Sequence, residues 1–259
     1  MIDLHSHVLP GIDDGPASLE GSLALARAAA QSGVRTLIAT PHIDHSYGLA
    51  PASVAEAVQR LAARLRKEEI ALEVLPGGEV ALSRCPELRD EELRAVSLGG
   101  GPYILLESPL QAAAIGLESA VFDLHVRGFR VLLAHPERSP VFMRDPDTLR
   151  RLVEQGALCQ ITAGSLLGRF GRTVRSFSLT LLREGLVHDV ASDAHDAQRR
   201  PPGLREGLAA AEGDVRGLND QVAWLTEQAP AAILRGEPLP PRPELPQRRG
   251  LLGRLRGVS

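Results

Sequence analysis

The sequence predicts one large α/β domain in which parallel strands are joined by helical crossovers into a barrel or near-barrel. Three observations carry that reading. Seven short apolar runs alternate with helical patterns along the 259 residues, and such alternation implies a parallel sheet with right-handed crossovers. A chain of this length suits a single barrel-sized domain with a sizeable core. Six of the seven runs end in a histidine or a carboxylate, and in an α/β barrel the strand ends meet at one mouth, where active sites are built.

The elements follow in order. Ile2–His5 is the first strand, and residues 17–32 form a helix with Leu19, Leu23, Leu25 and Ala26 on its apolar face and Gly33 as its stop. Arg35–Thr40 is strand two, broken by Pro41, and a helix opened by Pro51 and Ser53 runs to Glu68. Ile70–Leu75 is strand three, followed by a short helix from Pro86 to Val96 whose early acids suit the helix dipole. Tyr103–Leu106 is strand four, then a helix from Ala112 to Val126; Arg130–Ala134 is strand five, then a helix from Pro146 to Gln155. Ala157–Thr162 is strand six, Thr173 to Glu184 a helix, and Val187–Ser192 strand seven. Helical segments at Pro202–Glu212 and Asp214–Arg235 close the domain.

Composition excludes several classes. Apolar residues make up 44% and charged residues 24%, as in an ordinary soluble globule. No run has the length of a membrane span, and Asp3 and His5 interrupt any signal peptide, so the expectation is a cytoplasmic protein. The net charge is −3, yet residues 248–259 hold four arginines and no acid, leaving −7 on the remainder. A body so acidic argues against a nucleic-acid surface. Cys85 and Cys159 do not make a disulfide framework. Position six beyond Cys85 is Glu91 and beyond Cys159 is Ser165, so neither offers the Cys-x5-Arg arrangement that cradles phosphate around a thiolate.

The polar strand ends carry the chemistry. His5 and His7 alternate off the first strand, so both imidazoles point to one side. Asp193 and His195 repeat that spacing after strand seven, and Asp13 and Asp14 follow in the loop beyond His7. His42, Glu79, Glu107 and His135 end strands two to five. Imidazole nitrogen with carboxylate oxygen suits Zn²⁺, Mn²⁺ or Fe²⁺, and the lack of thiolates excludes an all-sulfur site. About nine donors exceed what one ion needs, and two or three bridged ions fit better. Arg138 lies three residues after His135, and Arg199 and Arg200 follow His195. Guanidinium grips phosphate bidentately and stabilises its transition state. Other histidines read differently: His45 either supports a ligand from behind or belongs to a loop, His125 sits inside a helix, and His188 begins a strand at the opposite mouth.

These segments together resemble the PHP (polymerase and histidinol phosphatase) superfamily. More narrowly, they resemble its bacterial capsular-polysaccharide tyrosine-protein phosphatases. The segments are MIDLHSHVLPGIDDG at 1–15, TPH at 40–42, GGE at 77–79, LLE at 105–107, AHPER at 134–138, ITAGSLLGRFG at 161–171, SDAH at 192–195 and RPP at 200–202. The resemblance implies a distorted seven-stranded (β/α)7 barrel holding three divalent ions, typically Mn²⁺, with Fe²⁺, Zn²⁺ or Mg²⁺ as alternatives. It assigns His5, His7, Glu79 and Asp193 to one ion; Glu79, Glu107 and His135 to a second; Asp14, His42 and His195 to a third. The choice of Asp14 over Asp13 is the family's. Arg138 and Arg200 would bind phosphate, a metal-activated hydroxide would attack phosphorus, and His42 or His195 would supply a proton to the phenolate. The substrate implied is phosphotyrosine on a bacterial tyrosine kinase of capsule or exopolysaccharide export. Alternatives are a small-molecule phosphoesterase such as histidinol phosphatase and a non-catalytic kinase-binding regulator. Two departures from the family pattern border the mouth: Ser139 after HPER, and Ile43-Asp44-His45 after His42.

The chain therefore divides into a phosphatase domain at 1–235, a Pro-rich linker at 236–247 and a basic amphipathic tail at 248–259. The linker holds five prolines and reads as extended. The tail mixes its arginines with Leu251, Leu252 and Leu255, a pattern that fits peripheral contact with anionic membrane, although glycines at 250, 253 and 257 weaken a helix.

Overall fold

The computed structural model describes residues 1–111 and 116–246. Its first half runs β1 (Ile2–Ser6), α1 (Leu19–Gln31), β2 (Thr36–Ala39), β3 (His42–Ile43), α2 (Ser53–Lys67), β4 (Glu73–Pro76), β5 (Glu79–Val80) and α3 (Asp90–Ala95). There follow β6 (Tyr103–Glu107), α4 (Leu117–Val126), β7 (Arg130–Ala134), α5 (Pro140–Arg144), α6 (Pro146–Glu154) and β8 (Leu158–Thr162). The last part is α7 (Ala163–Leu166), α8 (Arg172–Arg183), β9 (Asp189–Ala191), α9 (Leu204–Glu212), α10 (Leu218–Ala223) and α11 (Ala229–Arg235). Ser18 caps α1 through a bond to the Gly21 N–H, as a helix start preceded by serine should.

Among the described residues every strand pair is parallel, and the seven expected runs appear as nine strands because two of them are split. Nine short strands make a three-stranded sheet, β1-β2-β4, and a six-stranded sheet, β3-β5-β6-β7-β8-β9. The second expected strand splits into β2 and β3 around Pro41, which has no N–H to give a ladder. The third likewise splits into β4 and β5 at Gly77-Gly78, where a Cβ on Gly78 would lie 2.8 Å from Ile43 and 2.9 Å from Val96. Both breaks sit at the same level, so one sheet passes into the other there. At the remaining seam, His7 donates to the Ala194 carbonyl and Asp193 to the His5 carbonyl, each at 2.9 Å. A single bridge, Ser6 with Ala194, joins the sheets at that point.

Both faces of the strands are buried, as expected when helices cover a parallel sheet. Ile104, Leu106, Val131, Leu133, Ile161 and Val190 pack with the helices. Leu4, Ile38, Leu105, Leu132 and Leu158 face the other way and pack with Ile233 of α11. The expected helix over 112–126 begins at Leu117, and Ala112–Ile115 lie outside the described residues. The expected final helix is three pieces, with Trp224–Gln228 wound as a π-helix between α10 and α11. The short helices α5 and α7 were not expected: each follows directly on a polar loop or a strand, with no apolar periodicity long enough to read.

The Pro-rich segment through Pro246 forms no helix or strand and is tied to the domain. Trp224 Nε1 donates to the Pro240 carbonyl at 2.9 Å, and Arg242 donates to the Gly185 and Val187 carbonyls at 2.7 and 2.8 Å. Leu239 and Leu245 pack against the core. Gln247 and the basic tail at 248–259 lie outside the described residues. Among the described residues no helix is long and apolar enough to cross a membrane.

Candidate metal centre

The strand ends bring all nine expected donors together. Four overlapping groups have donor atoms within 4.8 Å of one another: His7, Asp14, His42 and His195; His5, His7 and Asp193; His5, Glu79 and His135; and His42, Glu79 and Glu107. Glu79 stands at the centre. Its Oε2 lies 3.1, 3.3 and 3.3 Å from nitrogens of His5, His7 and His42, and its Oε1 lies 2.7 Å from His135 Nε2. Burial alone would raise the pKa of Glu79, but His5 and His135 outweigh it and hold the carboxyl well below the usual range. Asp193 is held low in the same way against burial, by His5, His7 and Arg200. His135 and Asp193 have φ of 36° and 51°, a left-handed conformation unusual for residues with side chains. Such turns throw each side chain from the end of its strand into the centre, and strain of this kind clusters at functional sites.

Hydrogen bonding decides which ring nitrogen each histidine offers. The Asp13 carboxylate accepts at 2.7 Å from His7 Nδ1 and at 3.0 Å from the His42 N–H. A carboxylate only accepts, so His7 Nδ1 carries a proton and Nε2 is the nitrogen that can be offered to a cation. His7 Nε2 faces Glu79 and Asp193 at 3.3 and 3.4 Å, which removes His7 from the group around Asp14. That group is then Asp14, His42 and His195, with Asp14 Oδ1 3.5 Å from His42 and 3.2 Å from His195. His195 Nδ1 donates to the Asp193 carbonyl at 3.0 Å, leaving its buried Nε2 without a hydrogen-bond partner. Burial lowers the pKa of His42 and His195, which keeps both neutral and able to bind a cation. Glu107 is pushed up to about 7 by burial and by the charge of Glu79.

His5 and His7 are shifted the opposite way to His42 and His195, their pKa raised against burial by Glu79, Asp193 and Asp13, as imidazoles packed among carboxylates should be. Histidines and low carboxylates crowded in one place, with an orphaned nitrogen on His195, fit divalent cations that would replace those protons. Beside the cluster, Arg138 and Arg200 both reach Asp193. The Arg138 guanidinium lies 4.4 Å from the Phe170 ring centroid. Asp14 is exposed, and His42, Glu107, Arg138 and Arg200 are partly exposed, so the centre opens to solvent along those residues. A cleft of about 730 Å³ begins at Glu107 and is walled by Leu82, Pro86, Pro109 and Leu110. Histidines 45, 125 and 188 belong to none of the four groups.

The model of the family Capsular polysaccharide synthesis, CpsB/CapC, matches residues 1–235. The chain belongs to that family. Tyrosine-protein phosphatase YwqE of Bacillus subtilis is 38% identical over 257 residues, covering 98% of this chain and 99% of its own. The putative tyrosine-protein phosphatase CapC of Staphylococcus aureus is 31% identical, covering 80% of this chain and 81% of its own. Crystal structures of YwqE and of CpsB from Streptococcus pneumoniae, described as metal-dependent tyrosine phosphatases, include a chain with a TM-score of 0.83 and 40% identity. It covers 96% of this chain and all of that one. An Escherichia coli phosphotriesterase homology protein, at 11% identity and a TM-score of 0.58, shares the fold alone.

Three residues that matter here were not among the expected site residues. Asp13 was open as an alternative ligand, and instead orients His7 and the His42 backbone. Glu137 of AHPER is fully buried and accepts from Thr162 N and from Ser165 Oγ, tying the loop that carries Arg138 to the TAGS turn. Gln160 lies inside β8, where an apolar run gives no signal for a lone amide.

Proposed function

We infer that this chain is a metal-dependent protein-tyrosine phosphatase, acting on phosphotyrosine of a bacterial tyrosine kinase of capsule or exopolysaccharide synthesis. The observation that carries the reading is the set of nine donors beside two arginines that share one carboxylate. His5, His7, Glu79 and Asp193 would hold one ion, Glu79, Glu107 and His135 a second, and Asp14, His42 and His195 a third, most simply Mn²⁺. Such ions, when bound, make water a nucleophile at neutral pH and neutralise phosphoryl oxygens.

The chain's own residues do the rest. Arg138 and Arg200 bind the phosphoryl oxygens and orient the ester, and their fixed charges meet the charge that grows in the transition state. A tyrosine leaving group has a pKa of about 10, so it needs little acid assistance. His42, partly exposed with Tyr47 stacked parallel at 5.8 Å, and His195 were the expected proton donors, but both are held neutral and are taken up as ligands on this assignment, so the phenolate leaves with its charge met by the arginines and takes its proton from water.

Residues 1–235 form the phosphatase domain on this reading, and the two sheets act as one distorted seven-stranded barrel whose second and third strands are kinked. The seam bonds between β1 and residues 193–194 support closure. Residues 236–247 then lead to the tail at 248–259, which would touch anionic membrane from the cytoplasm beside a membrane-anchored kinase. Deletion of 247–259 should weaken binding to anionic vesicles and leave peptide turnover intact.

The deciding experiment measures hydrolysis of a phosphotyrosine peptide and of histidinol phosphate with Mn²⁺, before and after chelation. Peptide turnover that chelation abolishes and Mn²⁺ restores is the expected result. Turnover of histidinol phosphate alone would overturn it.

A further inference from the structure

Behind the cluster, on the side away from solvent, His5 continues into a buried polar chain. Its Nδ1 lies 2.8 Å from Gln160 Oε1, and Gln160 Nε2 lies 2.8 Å from Asp189 Oδ2. All three residues are fully buried, on β1, β8 and β9. We propose that Gln160, held in one orientation by Asp189, is a positioning residue that fixes the tautomer of His5 and so hands its Nε2 lone pair to the metal centre.

The polarity of the chain follows from which atoms can donate. Gln160 Nε2 faces Asp189 Oδ2, the arrangement in which Oδ2 accepts and the proton that burial favours on this carboxyl sits on Oδ1. The amide must therefore turn its NH₂ toward Asp189, and its carbonyl oxygen then faces His5. A carbonyl oxygen only accepts, so Nδ1 of His5 keeps a proton. Nε2, which Glu79 Oε2 and Asp193 Oδ1 face at 3.1 and 3.5 Å, is then the nitrogen that gives up its proton when a cation binds. Asp13 does the same for His7 from outside the barrel. The difference is that an amide is symmetric in shape and could sit either way round. Without Asp189 the flipped amide would donate to Nδ1 and select the wrong tautomer.

The inference rests on the metal-centre reading, and one experiment separates the two. Metal-stripped full-length protein is titrated with Mn²⁺, comparing wild type, Gln160→Met and Gln160→Glu. Methionine keeps the volume but accepts poorly; glutamic acid, protonated toward Asp189, keeps an acceptor toward His5. The expected result is a loss of about 10–100-fold in Mn²⁺ affinity for Q160M, the usual cost of losing a group that orients a ligand, with Q160E within a few fold of wild type. Wild-type affinity in Q160M, or equal loss in both variants, would overturn the relay while leaving the metal centre standing. Absence of Mn²⁺ binding by the wild type would overturn the metal centre and the relay with it. Should Q160M not fold, ¹⁵N-histidine spectra of the metal-free wild type above the titration of His5 decide instead: a proton on Nδ1 is expected, and one on Nε2 refutes the proposal.

Discussion

Arg138 and Arg200 donate to the same oxygen atom, Oδ2 of Asp193, at 2.7 and 2.6 Å. One comes from the turn after β7 and the other from the loop after β9, so the carboxylate pins two separate chain segments over the centre. Asp193 itself is 3% exposed, and its Oδ1 faces His5 and His7 instead. One buried carboxylate thus aligns the phosphate-binding groups with the metal-binding ones.

Replacing either arginine by lysine should therefore cost more than a charge-conserving change suggests. Lysine keeps one positive charge but cannot touch Asp193 and two phosphoryl oxygens at once. R138K and R200K should each lower kcat/KM by about 10²-fold, the scale of losing one aligned transition-state donor. Melting temperature and bound metal should stay near wild type. A variant with wild-type kcat/KM would show that its guanidinium does not meet the phosphoryl group.

Phe170 is the other wall of the Arg138 pocket, with the guanidinium 4.4 Å from its ring centroid. A partly buried cation over an aromatic face is worth about 1–2 kcal/mol. F170L should lower kcat/KM by about 5–30-fold through a raised KM, with metal content unchanged. Equal kinetics for F170L and wild type would reduce the contact to packing.

Glu107 gives the centre a pH dependence. Its carboxyl, pushed up to about 7 by burial and by Glu79, has a higher pKa in the folded metal-free protein than the ordinary 4.5. The sign is fixed: folding gains from the bound proton below the ordinary value, and that stability is lost as pH rises through 7. Metal binding runs the other way, because the carboxylate must give up its proton to bind a cation. Below pH 7 the logarithm of Mn²⁺ affinity should fall more steeply with falling pH in wild type than in Glu107→Gln, by about one unit per pH unit. Parallel slopes in calorimetric titrations would remove Glu107 from the proton balance.

The mouth of the site was legible because strand ends and motif residues coincide. His5, His7, His42, Glu79, Glu107, His135, Asp193 and His195 each stop or follow an apolar run, and alternation alone brings the side chains to one end. What lies behind them was not legible. Gln160 and Asp189 sit within strands whose neighbours are apolar, and only the pairing of β8 with β9, Gln160 opposite Asp189, brings them together. The splitting of two strands was not legible for a related reason. Pro41 and Gly77-Gly78 read as strand ends, whereas the chain resumes its direction after each as β3 and β5. The contacts of the Pro-rich segment were not legible because its anchors, Trp224 and the carbonyls before β9, are remote in sequence.

Those anchors make the last prediction. Arg242 stacks over Trp224 at 5.0 Å, donates to Gln221 Oε1 at 2.7 Å, and caps the carbonyls of Gly185 and Val187. Burial lowers its pKa to about 10, which still leaves it charged at neutral pH. Hydrogen bonds to a charged group contribute about 1.5–3 kcal/mol, and R242A leaves those acceptors with a gap where the side chain was. Loss of about 2 kcal/mol corresponds to a fall in Tm of about 4–8 °C for a domain of this size. The metal ligands follow β9 at Asp193 and His195 whereas Arg242 grips the residues before it. Turnover at 25 °C should accordingly be unchanged in R242A, while thermal unfolding and Trp224 fluorescence both shift. A variant with wild-type Tm would mean that the segment rests on the domain without holding it; one with wild-type Tm and altered kinetics would mean that the strap reaches the site through the length of β9.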